Sequence, residues 1–302
     1  MRTLIYGTSS KLLTHLAAIS INHNIIGFID STPKASQWLN KPLYSPDQIN
    51  NLEYDRIIIA SSYVEEIAKT LASYGINNFI NLDDDEQIHA LHQQICAQQC
   101  EIRTIEEAKI PKIPLASAHI HDTRLITNRV ELLNLLPKHG VAVELGVAQG
   151  TFSQQILTYN QPSKLHLVDI WGSNRYNDAL FASVSQKFAA EVRDNQVAIH
   201  RQLSQHALAD FDDNSLDWAY IDTTHSYQQT KTELELLHTK IKANGFICGH
   251  DYQHCNWASQ VRYGVIEAVH EFCVAYQYKL VYLTMNISES QSFALQKIDP
   301  AS

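Results

Sequence analysis

No apolar run in the 302 residues approaches the roughly 20 that a helix needs to span a bilayer, so a helical membrane protein is excluded and a soluble one expected. Met1-Arg2-Thr3-Leu4-Ile5-Tyr6-Gly7 enters a strand pattern directly, without the charged region, apolar stretch and small-residue cleavage site of a secretory signal, which predicts a cytoplasmic protein. Cysteine is sparse: Cys96, Cys100, Cys248, Cys255 and Cys273 are odd in number, scattered and free of any CxxC pair. That pattern fits reduced thiols and excludes a disulfide framework. Positive charge is also lacking. A net charge of −9 gives no general attraction to phosphate backbones, so neither nucleic acid nor a membrane is the expected partner. Neither an internal repeat nor a long low-complexity tract is present. Two glycine signatures are missing as well, the dinucleotide Gly-x-Gly-x-x-Gly after a strand and the P-loop with its Lys-Ser/Thr.

The alternation of short apolar runs with helical periodicity predicts an α/β chain. Residues Thr3 to Tyr6 and Ile25 to Ile29 read as strands. Between them Leu12, Leu13, Leu16 and Ile19 fall at helical spacing within Lys11 to Asn22. Arg56 to Ala60 supplies a further strand, Val64 to Tyr74 a helix ended by Gly75, and Asn78 to Leu82 a last strand. This segment resembles the Rossmann-like nucleotide-binding domains attached to sugar-modifying enzymes of surface-polysaccharide pathways. Its turn, Gly7-Thr8-Ser9-Ser10-Lys11, keeps one glycine and lacks the others that let a backbone approach a pyrophosphate. Asp30 is placed to hold a ribose, but a strand-end Asp before Ser31-Thr32-Pro33 is more simply a turn-former. A domain of this degenerate kind could serve oligomerisation or substrate positioning, and a homo-oligomer is left open.

Asp83-Asp84-Asp85-Glu86 suits a solvated helix N-terminus, and Ile110-Pro111-Lys112-Ile113-Pro114 cannot continue a helix. These features predict a Rossmann-like domain over 1–85, a helix and linker over 86–120, and a second Rossmann-like domain over 121–302. Within the last, Thr123 to Leu136 reads as a helix and Val141 to Leu145 as a strand. The strand delivers Glu144-Leu145-Gly146-Val147-Ala148-Gln149-Gly150 into a helix from Phe152 to Tyr159. Glycines at such a turn permit sharp bending and close ligand approach, and the new helix's free N–H groups face the same opening. Lys164 to Asp169 is a strand ending in an acid, placed to grip a ribose diol at the carboxyl edge of the sheet. Tyr278 to Thr284 and Ser292 to Ile298 read as two strands joined by a polar turn.

Glu144-Leu145-Gly146 with Gly150, followed by Leu167-Val168-Asp169-Ile170-Trp171, resembles the class I S-adenosylmethionine-dependent methyltransferases from about Thr123 to Ile298. The stretches Ser215 to Tyr227 and Gly245 to Tyr252 resemble the subgroup called methyltransferase family 24. The resemblance implies a methyltransferase sheet closed by a terminal antiparallel hairpin, with S-adenosylmethionine as cofactor. The implied cofactor contacts are Glu144, Gly146, Gly150 and Asp169, with Ser204 just after the third strand, Val197 to Arg201.

Methyl transfer to a hydroxyl needs the acceptor proton removed and its oxygen held in line, and a divalent cation on strand-end carboxylates serves both ends. Asp222-x-x-His225 with Asp251 resembles cation-dependent O-methyltransferases, which implies Asp222 and Asp251 as Mg²⁺ ligands and His225 as general base. His250 stands where some relatives carry another acidic ligand. The bland alternative is that both acids end strands and cap helices while His225 packs in a turn. The expectation is therefore a Mg-assisted O-methyltransferase acting on a hydroxyl of a sugar or related natural product, a small-molecule or glycan acceptor. The alternative is a non-catalytic nucleotide-sensing or scaffold protein built from two Rossmann-like domains.

Overall fold

The computed structural model describes residues 1–299 and divides the chain into two compact units, 1–108 and 109–302. The last three residues of the expected second domain lie outside the described residues. The helix expected to link the domains, found at Glu86–Glu107, is counted with the first unit, and the proline stretch 110–114 with the second.

In the first unit β1 (Arg2–Tyr6), α1 (Ser10–Asn22) and β2 (Asn24–Ile29) are followed by the short β3 (Gln37–Trp38) and β4 (Lys41–Tyr44). Next come β5 (Arg56–Ile59), α2 (Val64–Ser73), β6 (Phe79–Asn81) and α3 (Glu86–Glu107). The sheet order is β3-β4-β2-β1-β5-β6, parallel except for the β3–β4 pair. Its strands are apolar on both faces because helices cover both, giving one core around Ile5, Phe28 and Ile58 and another around Leu4, Tyr6 and Ile57. Asp85 caps α3 by accepting from the backbone N–H of Gln87 (3.1 Å) and Ile88 (3.0 Å), the solvated N-terminus expected of the acidic run.

The second unit begins with β7 (Arg124–Ile126) and α4 (Arg129–Leu135), where the sequence predicted one continuous helix from Thr123. The β-prone Leu125-Ile126 pair instead extends the sheet edge, and Asn128 starts the helix by accepting from Glu131 N–H at 3.0 Å. Then follow β8 (Val141–Leu145), α5 (Thr151–Gln155), β9 (Lys164–Asp169), α6 (Asp178–Lys187), α7 (Ala189–Arg193), β10 (Val197–Arg201), α8 (Ser204–Ala209), β11 (Leu216–Ile221), α9 (Tyr227–Lys240) and β12 (Ile241–Gly249). A small ribbon, β13 (Cys255–Asn256) with β14 (Val261–Arg262), precedes α10 (Val265–Tyr276), β15 (Tyr278–Thr284) and β16 (Phe293–Lys297). The strand order is β10-β9-β8-β11-β12-β16-β15-β7. β15 and β16 form the expected antiparallel hairpin, and β16 pairs antiparallel with β12.

Two apolar layers sandwich this sheet. Trp218, fully buried in one of them, is worth roughly 2–3 kcal/mol in area removed from water, and its indole N–H donates to Asn160 Oδ1 at 3.2 Å. The Asn160 amide in turn donates to Leu133 and Pro137 carbonyls, so the C-terminal turn of α4 is tied to the sheet that presents the glycine loop. The reversal of strand order beside β8 leaves a crevice at the carboxyl ends of β8, β9, β11 and β12.

Among the described residues no helix is long and apolar enough to cross a membrane, and all five cysteines are free thiols.

Candidate active site

The loop after β8 turns through three residues of positive φ, Gly146 (+89°), Ala148 (+51°) and Gly150 (+70°). The glycine at 146 is demanded by the protein itself. A Cβ there would lie 1.9 Å from the carbonyl oxygen of Asp222, because the ends of β8 and β11 meet backbone to backbone. Asp222 N–H donates to Leu145 O at 2.7 Å across the same junction. A Cβ on Gly150 would meet the Phe188 ring at 2.7 Å.

Asp169, at the end of β9, braces this loop. Its Oδ2 accepts from the N–H groups of Val147 and Ala148, both at 2.9 Å, and its Oδ1 from Trp171 N–H at 3.1 Å. Each carboxylate oxygen offers more than one lone-pair site, so acceptor capacity remains for a ligand hydroxyl. The fully buried Trp171 closes the arrangement by donating its indole N–H to Ala148 O at 3.0 Å.

Two of the predicted cofactor contacts are engaged inside the protein. Glu144 is 1% exposed and accepts from Ser153 Oγ at 2.5 Å. Burial pushes its carboxyl up to about 8, against the pull of Ser153, so it is protonated at neutral pH. Ser204 opens α8 with its hydroxyl donating to Glu233 Oε1 (2.5 Å) and accepting from Gln229 Nε2 (2.9 Å). Glu233 also accepts from Thr223 at 2.8 Å, which links this buried network to the turn after β11.

Asp222, His250 and Asp251 meet because β11 and β12 are parallel neighbours in register, Ile221 opposite Gly249, so residues just past both strands converge. His250 Nδ1 lies 3.3 Å from Asp251 Oδ2 and 3.8 Å from Asp222 Oδ2. One ligand atom from each of the three lies within 4.8 Å of the others. The buried His250 Nε2 has no hydrogen-bond partner. His225 joins from the β11–α9 turn, its Nδ1 3.1 Å from Asp251 Oδ2.

Both His225 (φ +60°) and Asp251 (φ +56°) sit in the left-handed region, which costs a non-glycine residue roughly 1 kcal/mol or more. Neighbours hold the strain in place. Gly264 N–H donates to His225 O at 2.8 Å, and the Tyr263 ring packs 4.7 Å from the imidazole. The two acids are driven apart electrostatically. Burial raises Asp222 despite the imidazoles beside it. Burial pushes Asp251 upward too, but hydrogen bonding and charge from His250, with Ser290 and His225, hold it below the usual carboxylate range.

Sequence reading missed Arg129. It opens α4, stacks over Phe152 at 4.8 Å and pairs with Glu289 through Nε (3.1 Å) and Nη2 (3.2 Å). Its positive charge favours the ionised forms of Glu144 and Asp222, against the burial that raises both. Nothing at an Arg after an Asn cap announces that position. Among aromatic residues of the loops after these strands, Trp171 is core, Tyr227 and Tyr252 are tied to Glu271 and His270, and Trp257 stands 87% exposed.

Residues 143–252 match the family model described as a methyltransferase domain, a span that holds the glycine loop, Asp169, Asp222, His225 and Asp251. Over this span the second unit is similar to that methyltransferase family. Residues 1–80 match a family model described as C2185-like, N-terminal. A comparison with curated proteins finds no match.

Among solved structures, a Clostridium thermocellum protein described as an rRNA-methylase is 13% identical with a TM-score of 0.44, the match covering 57% of this chain and 94% of that one. A Streptococcus mutans protein described as a methyltransferase, in complex with SAH, is 12% identical with a TM-score of 0.42, covering 57% and 99%. The tRNA methyltransferase TrmK of B. subtilis is 13% identical with a TM-score of 0.42, covering 58% and 67%.

Proposed function

We propose that this protein is a cytoplasmic O-methyltransferase acting on a hydroxyl of a glycan or related small natural product, assisted by Mg²⁺. The observation that carries the reading is the convergence of His225, Asp251 and Asp222 at one carboxyl edge of the sheet, beside the glycine loop. The reaction breaks the sulfonium C–S bond and forms a C–O bond, so S-adenosylhomocysteine leaves and the acceptor proton must go to a base. His225 takes it at Nε2, and the Asp251 carboxylate 3.1 Å from Nδ1 stabilises the positive charge the ring then carries. The loop at Gly146 to Gly150 and Asp169 hold the cofactor, the loop by its backbone and Asp169 by the acceptor site left on Oδ1.

Asp222, Asp251 and His250 fit a divalent cation, since two carboxylates and an imidazole present ligand atoms within 4.8 Å of one another. Carboxylate oxygens suit Mg²⁺, and the imidazole opens the set to Mn²⁺ as well. When bound, such a cation supplies a Lewis acid that lowers the acceptor hydroxyl's pKa and orients it.

The test has two parts. Calorimetry should show S-adenosylmethionine binding, and its absence would sink the reading. Methyl label should pass from cofactor into one member of a panel of glycans and small phenols, more strongly with Mg²⁺ than with chelator. His225→Ala should lower that transfer by about 100-fold or more while leaving cofactor affinity within about twofold. Turnover near wild type across the pH range would remove His225 from the role.

A further inference from the structure

We infer that the first unit binds a neutral ligand carrying a vicinal diol, a nucleoside ribose or a pyranose, in the crevice at the carboxyl ends of β1, β2 and β5. The sheet order reverses between β1 and β5, the point at which open α/β sheets form a ligand crevice. A cavity of about 410 Å³ lies there, within the usual size for small-molecule sites.

Its walls are hydroxyls and carboxylates: Thr8, Ser9, Ser61 and Thr70 with Asp30 and Glu66. Asp30 is held still by two bonds, Oδ2 accepting from Thr8 Oγ1 at 2.6 Å and Oδ1 from Thr32 N–H at 2.9 Å. Each oxygen keeps a further acceptor site, which is the geometry that takes two adjacent hydroxyls. Tyr63, 68% exposed at the start of α2, offers a ring face of the kind that stacks on a sugar or base.

The same lining argues against a pyrophosphate. It contains no Lys, Arg or His. Lys11, in the first turn of α1, is turned onto Asp83 (2.5 Å) and Ser61 O (3.4 Å). The lone glycine is used by the protein, since a Cβ on Gly7 would lie 2.7 Å from Ala60 O. Ser9 donates to Ala60 O at 3.1 Å and does not cap α1, so the first N–H groups of that helix are donors for a ligand oxygen. Two carboxylates in the lining repel a phosphate that those donors would otherwise attract.

The experiment titrates the full chain, with S-adenosylhomocysteine saturating the second unit, against uridine, methyl glucopyranoside, 2′-deoxyuridine and UMP, read by saturation-transfer NMR and calorimetry. Uridine or the glucoside should bind, which of them identifying the source of the diol. If the ligand is the nucleoside, 2′-deoxyuridine should bind at least tenfold more weakly and UMP no more tightly than uridine. Asp30→Asn should weaken the bound probe by about tenfold. Should that variant unfold, Tyr63→Ala, which touches an exposed ring, should weaken it severalfold with the melting temperature unchanged. Binding by neither neutral probe, a tenfold gain with UMP, or wild-type affinity in the folded variants overturns the inference.

Discussion

The two units solve the same local problem and part company two strands later. Each runs a strand into a glycine turn and a helix, at Tyr6-Gly7-Thr8 and Leu145-Gly146-Val147, and each ends its next strand in an acid that ties down a turn, Asp30 or Asp169. In both, the glycine is required by a backbone carbonyl crossing behind it, Ala60 O at 2.7 Å in one and Asp222 O at 1.9 Å in the other. The difference lies in what the strand across the reversal delivers. After β5 it is Ser61 and Tyr63; after β11 it is Asp222 and His225, with Asp251 beyond β12. A shared architecture makes a crevice, and the residues past the neighbouring strand ends decide whether it carries hydroxyls and an exposed ring or a cluster of carboxylates and imidazoles.

The sharpest way to break this comparison is to put a methyl group on each glycine. Gly146→Ala should cost about 4 kcal/mol or more in chemical denaturation of its unit, because backbone faces backbone at a φ that alanine resists. Gly7→Ala should cost about 2 kcal/mol, its contact being longer. Equal costs would mean that the two turns are not constrained differently. A smaller effect is expected from the strand-end acids. Asp169→Ala removes an acceptor shared by two backbone N–H groups and should cost about 2–3 kcal/mol and weaken S-adenosylmethionine binding at least tenfold. Asp30→Ala, losing one backbone and one hydroxyl bond, should cost about 1 kcal/mol and leave that affinity unchanged.

A contrast of a different kind, in pH dependence, comes from Glu144, which has no counterpart in the first unit. Its carboxyl titrates near 4.5 when unfolded and about 8 when folded. Between those values the folded state holds the extra proton, so the contribution is complete below 4.5 and is lost as pH rises through 8, by at most about 1.4 kcal/mol per pH unit. Glu144→Gln should flatten this fall, gaining on wild type as urea denaturation is repeated at pH 5, 6.5 and 8. Parallel pH profiles for the two proteins would show that Glu144 is ionised in the fold.

Most strands and helices of both units could be read from apolar periodicity, because a strand covered on both faces must be apolar throughout and an amphipathic helix must repeat every three to four residues. The segment at 123–136 was misread for a related reason. Leu125-Ile126 is compatible with either period, and only the free edge of β15 made it a strand. Glycine at 146 was visible, but its cause was not, since the carbonyl of Asp222 is 76 residues away in sequence. Glu144 and Ser204 stood at the right strand ends, yet Ser153 and Glu233, which engage them, could not be paired without the fold.

The sequence by itself determined the alternating architecture, the terminal hairpin and the residues that arrive at the carboxyl edge, because these depend on short-range periodicity and on where strands stop. Only the tertiary structure decided which of those residues meet. The parallel register of β11 and β12 set Asp222 beside His250 and Asp251, and the Gly264 and Tyr263 contacts hold His225 in a backbone conformation it would not otherwise adopt. Such approaches join groups far apart in the chain, and their cost is met by packing elsewhere, so no local pattern records them.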